Sequence, residues 1–405
     1  MSKALFYKLS KSLIPCLLIT LAIGFTYAFS LFVPHIAAAL CVSVKVVQFS
    51  FCLNIFWLGL GAALFGKLIE HRIKTAAILS TTLMLLGLCL SGLGMVMKSI
   101  WMLYVGFGFL CGVAEGIGYV CPVLNNILWF GRGKFKGLVA ALSIISFGLG
   151  STLCSMLFGY LLPIFGITYI FFAYAALYAV MMGIGSFLIG KPKYVKFRKP
   201  SKKDEFSYRE FFSDGYARKS WIYMFLNISM GLILIGSCAS ILAEISLSSS
   251  VIIVVMMLCG LFNGAGRLVF PLLSDFMKKR SVMLMVILGI EITVIFPSIF
   301  AYSFIPLSII IINATYGSFF AMLPSILSDH YGNVNLSIRH SAILSSWGFA
   351  SLFAYLCTFL IQTFCEGYWF LTIILAVVYT VNMLVVGSLD RGVGQKRKTK
   401  GQQTK

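Results

Sequence analysis

The sequence predicts an all-α membrane protein, with twelve transmembrane helices in two pseudo-symmetric six-helix bundles. Composition is the first reason: of 405 residues, 60% are hydrophobic and only 11% charged, and the mean hydropathy is +0.97, whereas a soluble domain carries roughly 25% charged residues. The second is length periodicity. Apolar stretches of roughly 20 residues, enough to cross a ~30 Å hydrocarbon core, recur about twelve times between polar or basic connectors. The third is that one long polar connector, Lys191 to Lys219, divides those stretches six and six.

In chain order, the first span, Leu13 to Val33, is read as retained. No small-residue cleavage site ends it, and a second span, Val47 to Leu68, follows directly. Thr75 to Met95 and Trp101 to Leu124 come next, with Lys98 between them, then Gly137 to Leu161 and Thr168 to Gly190. After the connector come Trp221 to Leu242, Val251 to Leu273, Val282 to Phe300, Pro306 to Leu327, Ser341 to Gln362 and Tyr368 to Gly387. Runs of this length mean helices rather than barrel strands, because every backbone polar group in lipid must find its partner inside the protein. The expected organisation is a first bundle over 1–190, a connector over 191–219, a second bundle over 220–388 and a basic tail over 389–405.

The net charge of +20 raises nucleic acid as a partner, but the placement of the charge argues against it. Of 32 Lys and Arg residues, 29 fall in the N-terminus, the tail and the loops of one side; Lys45 and Lys98 lie opposite, and Arg267 lies within a span. The positive-inside rule puts both termini and the connector in the cytoplasm of a plasma or bacterial inner membrane. The tail "RGVGQKRKTKGQQTK" then reads as an orienting segment that touches anionic lipids. The 11 cysteines sit almost entirely within spans, without Cys-x-x-Cys or nearby histidine, so they read as packing residues and no metal or cofactor is expected. A disulfide between the outer ends would join Cys41 to Cys365. No phosphate-binding P-loop occurs, so ATP-driven pumping, and enzymatic chemistry generally, finds no support.

The halves echo one another. "GKLIEHRIK" (Gly66 to Lys74) follows span two and "PLLSDFMKKR" (Pro271 to Arg280) follows span eight, each with an acid four residues after the helix-ending Gly or Pro. This resembles the G-x-x-x-D-x-x-x-R-[KR] loop of the major facilitator superfamily, with Glu70 in place of the usual Asp and Pro271 in place of Gly. The resemblance implies that Glu70 and Asp275 act as conformational latches at neighbouring helix ends. Further stretches narrow it: "GFTYAFSLFVP" (Gly24 to Pro34), "GFGFLCGVAEGIGYVCPVLNNILWFGRGKFKGL" (Gly106 to Leu138), "NGAGRLVFPLLSD" (Asn263 to Asp275) and "YGSFFAMLPSILSDHYG" (Tyr316 to Gly332). Together, in order and spacing, they resemble the oxalate/formate antiporter family. Within the fourth span Gly108, Gly112 and Gly116 form a smooth stripe that suits close helix packing.

Arg267 is the residue that needs explaining. A guanidinium keeps its proton, and a charge near mid-bilayer costs at least ~2.5 kcal/mol. The resemblance implies that it faces a central cavity and binds the substrate carboxylate, for which a planar fork of donors is well matched. The alternative is that it snorkels about 9 Å to the cytoplasmic end, toward Asp275 or lipid phosphate. Oxalate-carrying members add a lysine in a T-A-K-G stretch of span eleven; this chain has "SSWG", with Trp347 at that place. One cation fewer disfavours a dianion and favours a monocarboxylate such as formate, lactate or pyruvate. Tyr27, Tyr119, Tyr316 and Trp347, with Asn54, are the expected companions in the pocket. Glu115 is expected either to pair with Arg267 or to take up a proton with substrate, and Glu291 is a second proton-coupling candidate.

The function these features imply is secondary active transport of a small organic anion, by exchange or proton symport and acting as a monomer. Two other readings stay open: a proton-coupled exporter of cations or drugs using Glu115 and Glu291, and a non-transporting metabolite sensor.

Overall fold

The computed structural model describes residues 3–130, 136–192, 206–332, 335–365 and 369–389. The tail from residue 390, residues 131–135 and connector residues 193–205 lie outside the described residues. Within them every regular element is helical. A short α1 (Lys3–Lys11) leads into α2 (Leu13–Ile23), which tightens to a 3-10 stretch at Gly24–Leu31 and then gives way to α3 (Val33–Leu40). Then come α4 (Val44–His71), α5 (Ile73–Val96), α6 (Ile100–Leu103), a wider π-type stretch at Tyr104–Cys111, and α7 (Gly112–Phe130). After α8 (Lys136–Leu188) the chain continues through α9 (Tyr208–Ser213), α10 (Gly215–Glu244), α11 (Ser249–Ser274) and α12 (Arg280–Ile295). It ends in α13 (Ile305–Tyr331), α14 (Leu336–Phe364) and α15 (Trp369–Gly387).

Among the described residues, eleven helical stretches are long and apolar enough to cross a membrane, and one of them crosses twice. At ~1.5 Å per residue the 53 residues of α8 would extend about 80 Å, more than twice the hydrocarbon core. The chain instead folds back at Gly166, whose φ of 60° and ψ of 172° suit a residue with no Cβ. Tyr174 on the second arm donates its hydroxyl to the Cys154 carbonyl on the first at 3.0 Å, so the arms lie side by side. The twelve passes expected from the sequence are present.

The helices run several residues past the expected spans at many ends, and the connector departs furthest from the expectation. The seventh pass begins at Gly215 rather than Trp221, and the connector carries α9. Ser207 Oγ accepts the Glu210 N–H at 3.4 Å, an N-cap that starts a helix inside a polar stretch. All eleven cysteines are free thiols, Cys41 and Cys365 included.

Lipid supplies no hydrophobic drive between helices, so they associate through close packing and hydrogen bonds. The glycine stripe does this against α4: a Cβ on Gly112 would sit 2.4 Å from the Asn54 carbonyl oxygen, and one on Gly116 2.3 Å from that of Leu58. Two further seams join helices before the connector to helices after it. On one side α4 meets α14, where Ser351 Oγ donates to the Cys52 carbonyl at 3.0 Å and Gly59 abuts Gly348. On the other, α8 meets α11, where Thr152 Oγ1 donates to the Met257 carbonyl at 3.0 Å and Gly148 abuts Gly264.

Glu70 and Asp275, the two acids expected to latch, differ in surroundings. Asp275, its side chain 1% exposed, accepts Arg280 Nη2 at 2.7 Å, and the same guanidinium reaches Asp329 through Nε at 2.7 Å. This knot ties the end of α11 to the start of α12 and the end of α13. Glu70 is half-buried, and its buried Oε2 has no hydrogen-bond partner. Removing Asp275 takes away the buried half of the counter-charge on Arg280 and leaves it the exposed Asp329. We expect Asp275→Asn to lower stability in detergent by about 3 kcal/mol, read as a fall in melting temperature, with Glu70→Gln producing a smaller change.

Candidate substrate site

The short motif around Arg267 has a local physical logic. Asn263 lies one helical turn before it, and its Oδ1 accepts Arg267 Nε at 2.9 Å. The Asn263 amide is itself oriented by donating Nδ2 to the Asn313 carbonyl of α13 at 2.9 Å. That approach requires Gly266, where a Cβ would lie 1.9 Å from the Ala314 carbonyl oxygen. The glycine brings α13 close, the asparagine clamps it, and the arginine is held by that clamp.

The Arg267 side chain is 0% exposed, so it does not run out to the membrane boundary. It points into an aromatic cage. Its Cζ stands 5.0 Å from the centre of the Phe147 ring and 5.5 Å from that of Phe320, and Nη1 donates to the Tyr119 hydroxyl at 3.3 Å. Trp347 closes the cage, its ring 4.2 Å from Phe320 and 5.3 Å from Tyr119 between centroids. Tyr27, from the 3-10 stretch, and Tyr316, from α13, form a lid, joined hydroxyl to hydroxyl at 2.9 Å. Tyr27 also packs edge-on to Trp347, with centroids 6.4 Å apart.

Two donors in this cage are left over. Arg267 Nη2 and Trp347 Nε1 are buried and have no hydrogen-bond partner. Each such donor costs about 1–3 kcal/mol, more when it belongs to a charged group. Among the described residues no carboxylate forms an ion pair with Arg267. The cage is thus electropositive, closed to bulk solvent and short of an acceptor.

Four of the expected pocket residues, Tyr27, Tyr119, Tyr316 and Trp347, meet around Arg267. Asn54 does not join them. Its Nδ2 donates to the Phe107 carbonyl at 2.9 Å and to Glu115 Oε1 at 3.1 Å. Glu115 does not pair with Arg267 either: Thr26 Oγ1, carried inward by the 3-10 stretch, donates to Oε1 at 2.6 Å. Equal depth on two helices therefore does not bring the charges together, because Thr26 and Asn54 hold the carboxyl against α4. Glu291 is separate again, on α12, with both carboxyl oxygens accepting Asn227 Nδ2 of α10 at 3.1 and 3.0 Å. Asn263, Phe147, Phe320 and Thr26 were not singled out from the sequence. Two carried a signal, since Asn263 stands four residues from Arg267 and Phe320 four from Tyr316, each on one helical face. Phe147 carried none, being one phenylalanine of 36.

Comparison with known proteins agrees with this architecture. Residues 16–354 match the Major Facilitator Superfamily. An uncharacterised MFS-type transporter of Escherichia coli strain K12, YhjX, is 29% identical over 359 residues, covering 84% of this chain and 85% of that protein. Among solved structures, the E. coli fucose:proton symporter superposes with a TM-score of 0.68 at 13% identity, covering 93% of this chain and 97% of that one. The proton:xylose symporter XylE gives 0.69 at 13%, covering 94% and 95%. A bacterial homologue of the iron transporter ferroportin gives 0.68 at 14%, covering 93% and 99%. At such identities these structures establish the fold alone. With the family match over most of its length, a twelve-pass helical architecture and relatives that are transporters rather than enzymes, the chain belongs to the Major Facilitator Superfamily and is an integral membrane transporter.

Proposed function

We propose that this transporter carries a small organic anion, a monocarboxylate of the formate, lactate or pyruvate type, as a member of the oxalate/formate antiporter group. The observation that supports this most directly is the pair of orphaned donors, Arg267 Nη2 and Trp347 Nε1, in one aromatic enclosure. A carboxylate supplies two acceptor oxygens and the missing negative charge, and a cation or neutral drug lacks that charge. With no second cation among the cage residues described above, a single negative charge is matched and a dianion is not. On this reading the site lies between two bundles, residues 1–190 and 220–388, which rock about it while the connector and both termini face the cytoplasm. The protein acts as a monomer, and its basic tail touches anionic lipid.

The test is uptake of radiolabelled formate, lactate, pyruvate and oxalate into proteoliposomes, with and without internal substrate. We expect monocarboxylates to be taken up and oxalate to be excluded. Stimulation by internal substrate would identify exchange. Uptake of none of the four would sink the assignment.

Glu115 is our proposed proton site. Its carboxyl is fully buried, with Oε1 held by Thr26 and Asn54 and Oε2 lacking a partner. If a proton travels with the anion, acid outside drives uptake. Glu115→Gln then leaves a pH-independent residual rate. An unchanged pH profile in that variant would remove the proton role, and Glu291→Gln provides the parallel test for the second acid.

A further inference from the structure

An open cleft lies between α4, α10 and α14, lined by Gln48, Phe51 and Cys52, by Leu232, Gly236 and Ser237, and by residues of α14 from Ser351 to Thr358. We propose that it is a waiting site for the carboxylate, on the far side of the tyrosine lid from Arg267. This rests on the carboxylate reading above and adds a second station to it.

Gln48 is the anchor. Its side chain is 6% exposed, its Oε1 accepts Gln362 Nε2 at 3.3 Å, and its Nε2 is buried with no partner. The amide is therefore pinned on one side and left with donors on the other, in the wall of the open cleft. No acidic residue lines the cleft. One turn earlier on α4 stands Lys45, whose Nζ donates to Thr363 Oγ1 at 2.8 Å and to the Gln362 carbonyl at 3.4 Å. It is one of two basic residues outside the spans on the sparsely charged side, and it biases the mouth toward anions. Phe51, Leu232 and Ala354 offer the apolar wall that a short carbon chain needs.

The cleft and the lid share a helix: Leu232 lines the cleft, and its neighbour Gly231 would place a Cβ 2.2 Å from the Tyr316 ring. On this proposal, parting the Tyr27–Tyr316 hydroxyl pair connects the two stations.

Cys52 reports occupancy, because its thiol lines the cleft. The purified full-length protein is treated with N-ethylmaleimide with and without lactate, and modification of Cys52 is followed by peptide mass spectrometry. The Arg267→Ala variant removes the deep site, so protection seen there cannot come from lactate bound in the cage. We expect lactate to slow labelling of Cys52 severalfold in that variant, to leave the exposed Cys89 unaffected, and to lose its effect when Gln48→Leu is added. Gly236→Leu, which fills the cleft beside Phe51, should abolish lactate dependence in the same way. A Cys52 that lactate does not protect in the Arg267→Ala protein, protection that survives Gln48→Leu, or a thiol that never reacts would overturn the site. Lactate uptake by the wild type without protection sinks the waiting site alone. Protection that depends on Gln48 in a protein that moves no carboxylate sinks the transport reading and leaves the site standing.

Discussion

Arg267→Ala abolishes carboxylate uptake and, at the same time, leaves the empty protein at least as stable as the wild type. These two expectations have opposite signs, which is what separates a binding residue from a structural one. Truncating one partner of a buried, hydrogen-bonded charge pair costs about 2–5 kcal/mol of binding, a loss of roughly 30-fold to several-thousand-fold in affinity. Without substrate, however, the guanidinium is a burden: it is fully buried, it has two hydrogen bonds through Nε and Nη1, and Nη2 has none. Removing it relieves that unpaired buried charge, which offsets the packing and the two hydrogen bonds lost with the side chain. Melting curves in detergent should therefore show an unchanged or raised transition for Arg267→Ala, with no further rise on adding lactate, while the wild type melts higher with lactate than without. Arg267→Lys keeps the charge but loses the fork that reaches Nε and Nη partners together, so its uptake should fall between the two. A melting temperature well below wild type, with lactate affinity preserved, would make Arg267 a structural strut and remove the basis for an anion cargo.

How much of this was legible in the sequence follows from the range of the interactions involved. The passes were legible because each is a local property, an apolar run of sufficient length, and even the fold-back at Gly166 sits between two such runs. The cage was legible in part because Arg267, Tyr119, Tyr316 and Trp347 each stand in a short motif. What could not be read was how the helices face one another. Asn54 and Glu115 share the depth of the site, yet Thr26 draws them to another face, and that depends on the 3-10 winding of Gly24–Leu31. Phe147 reaches the guanidinium only because the first arm of α8 packs on α11. The start of α10 at Gly215 was missed for a related reason: its first turns, Tyr216 to Lys219, are polar or charged, so hydropathy sees a loop where the backbone is already helical.

The seam glycines give the second large effect. A Cβ on Gly148 would lie 2.3 Å from the backbone nitrogen of Gly264, and one on Gly59 would lie 2.3 Å from that of Gly348. Neither clash can be relieved by a rotamer, since the obstacle is main chain held in a helix; one helix must move off the other. Overpacking of this kind costs typically 1–3 kcal/mol, and with rigid backbone on both sides the upper end applies, about a hundredfold in the population of the sealed arrangement. An alternating-access carrier must pass through an arrangement in which the site is shut from both sides, and here the cage residues Arg267, Tyr119 and Trp347 are all 0% exposed. Gly148→Ala and Gly59→Ala should therefore slow transport by up to about a hundredfold, with the protein still inserted and still binding substrate from one side. Gly159 provides the control within α8, because a Cβ there meets nothing within 4 Å; as alanine favours helix over glycine by up to about 1 kcal/mol, Gly159→Ala should transport normally and melt no lower than wild type. If Gly148→Ala and Gly159→Ala transport equally fast, the α8–α11 seam is not closed during the cycle, and the sealed cage is not a state through which the anion passes.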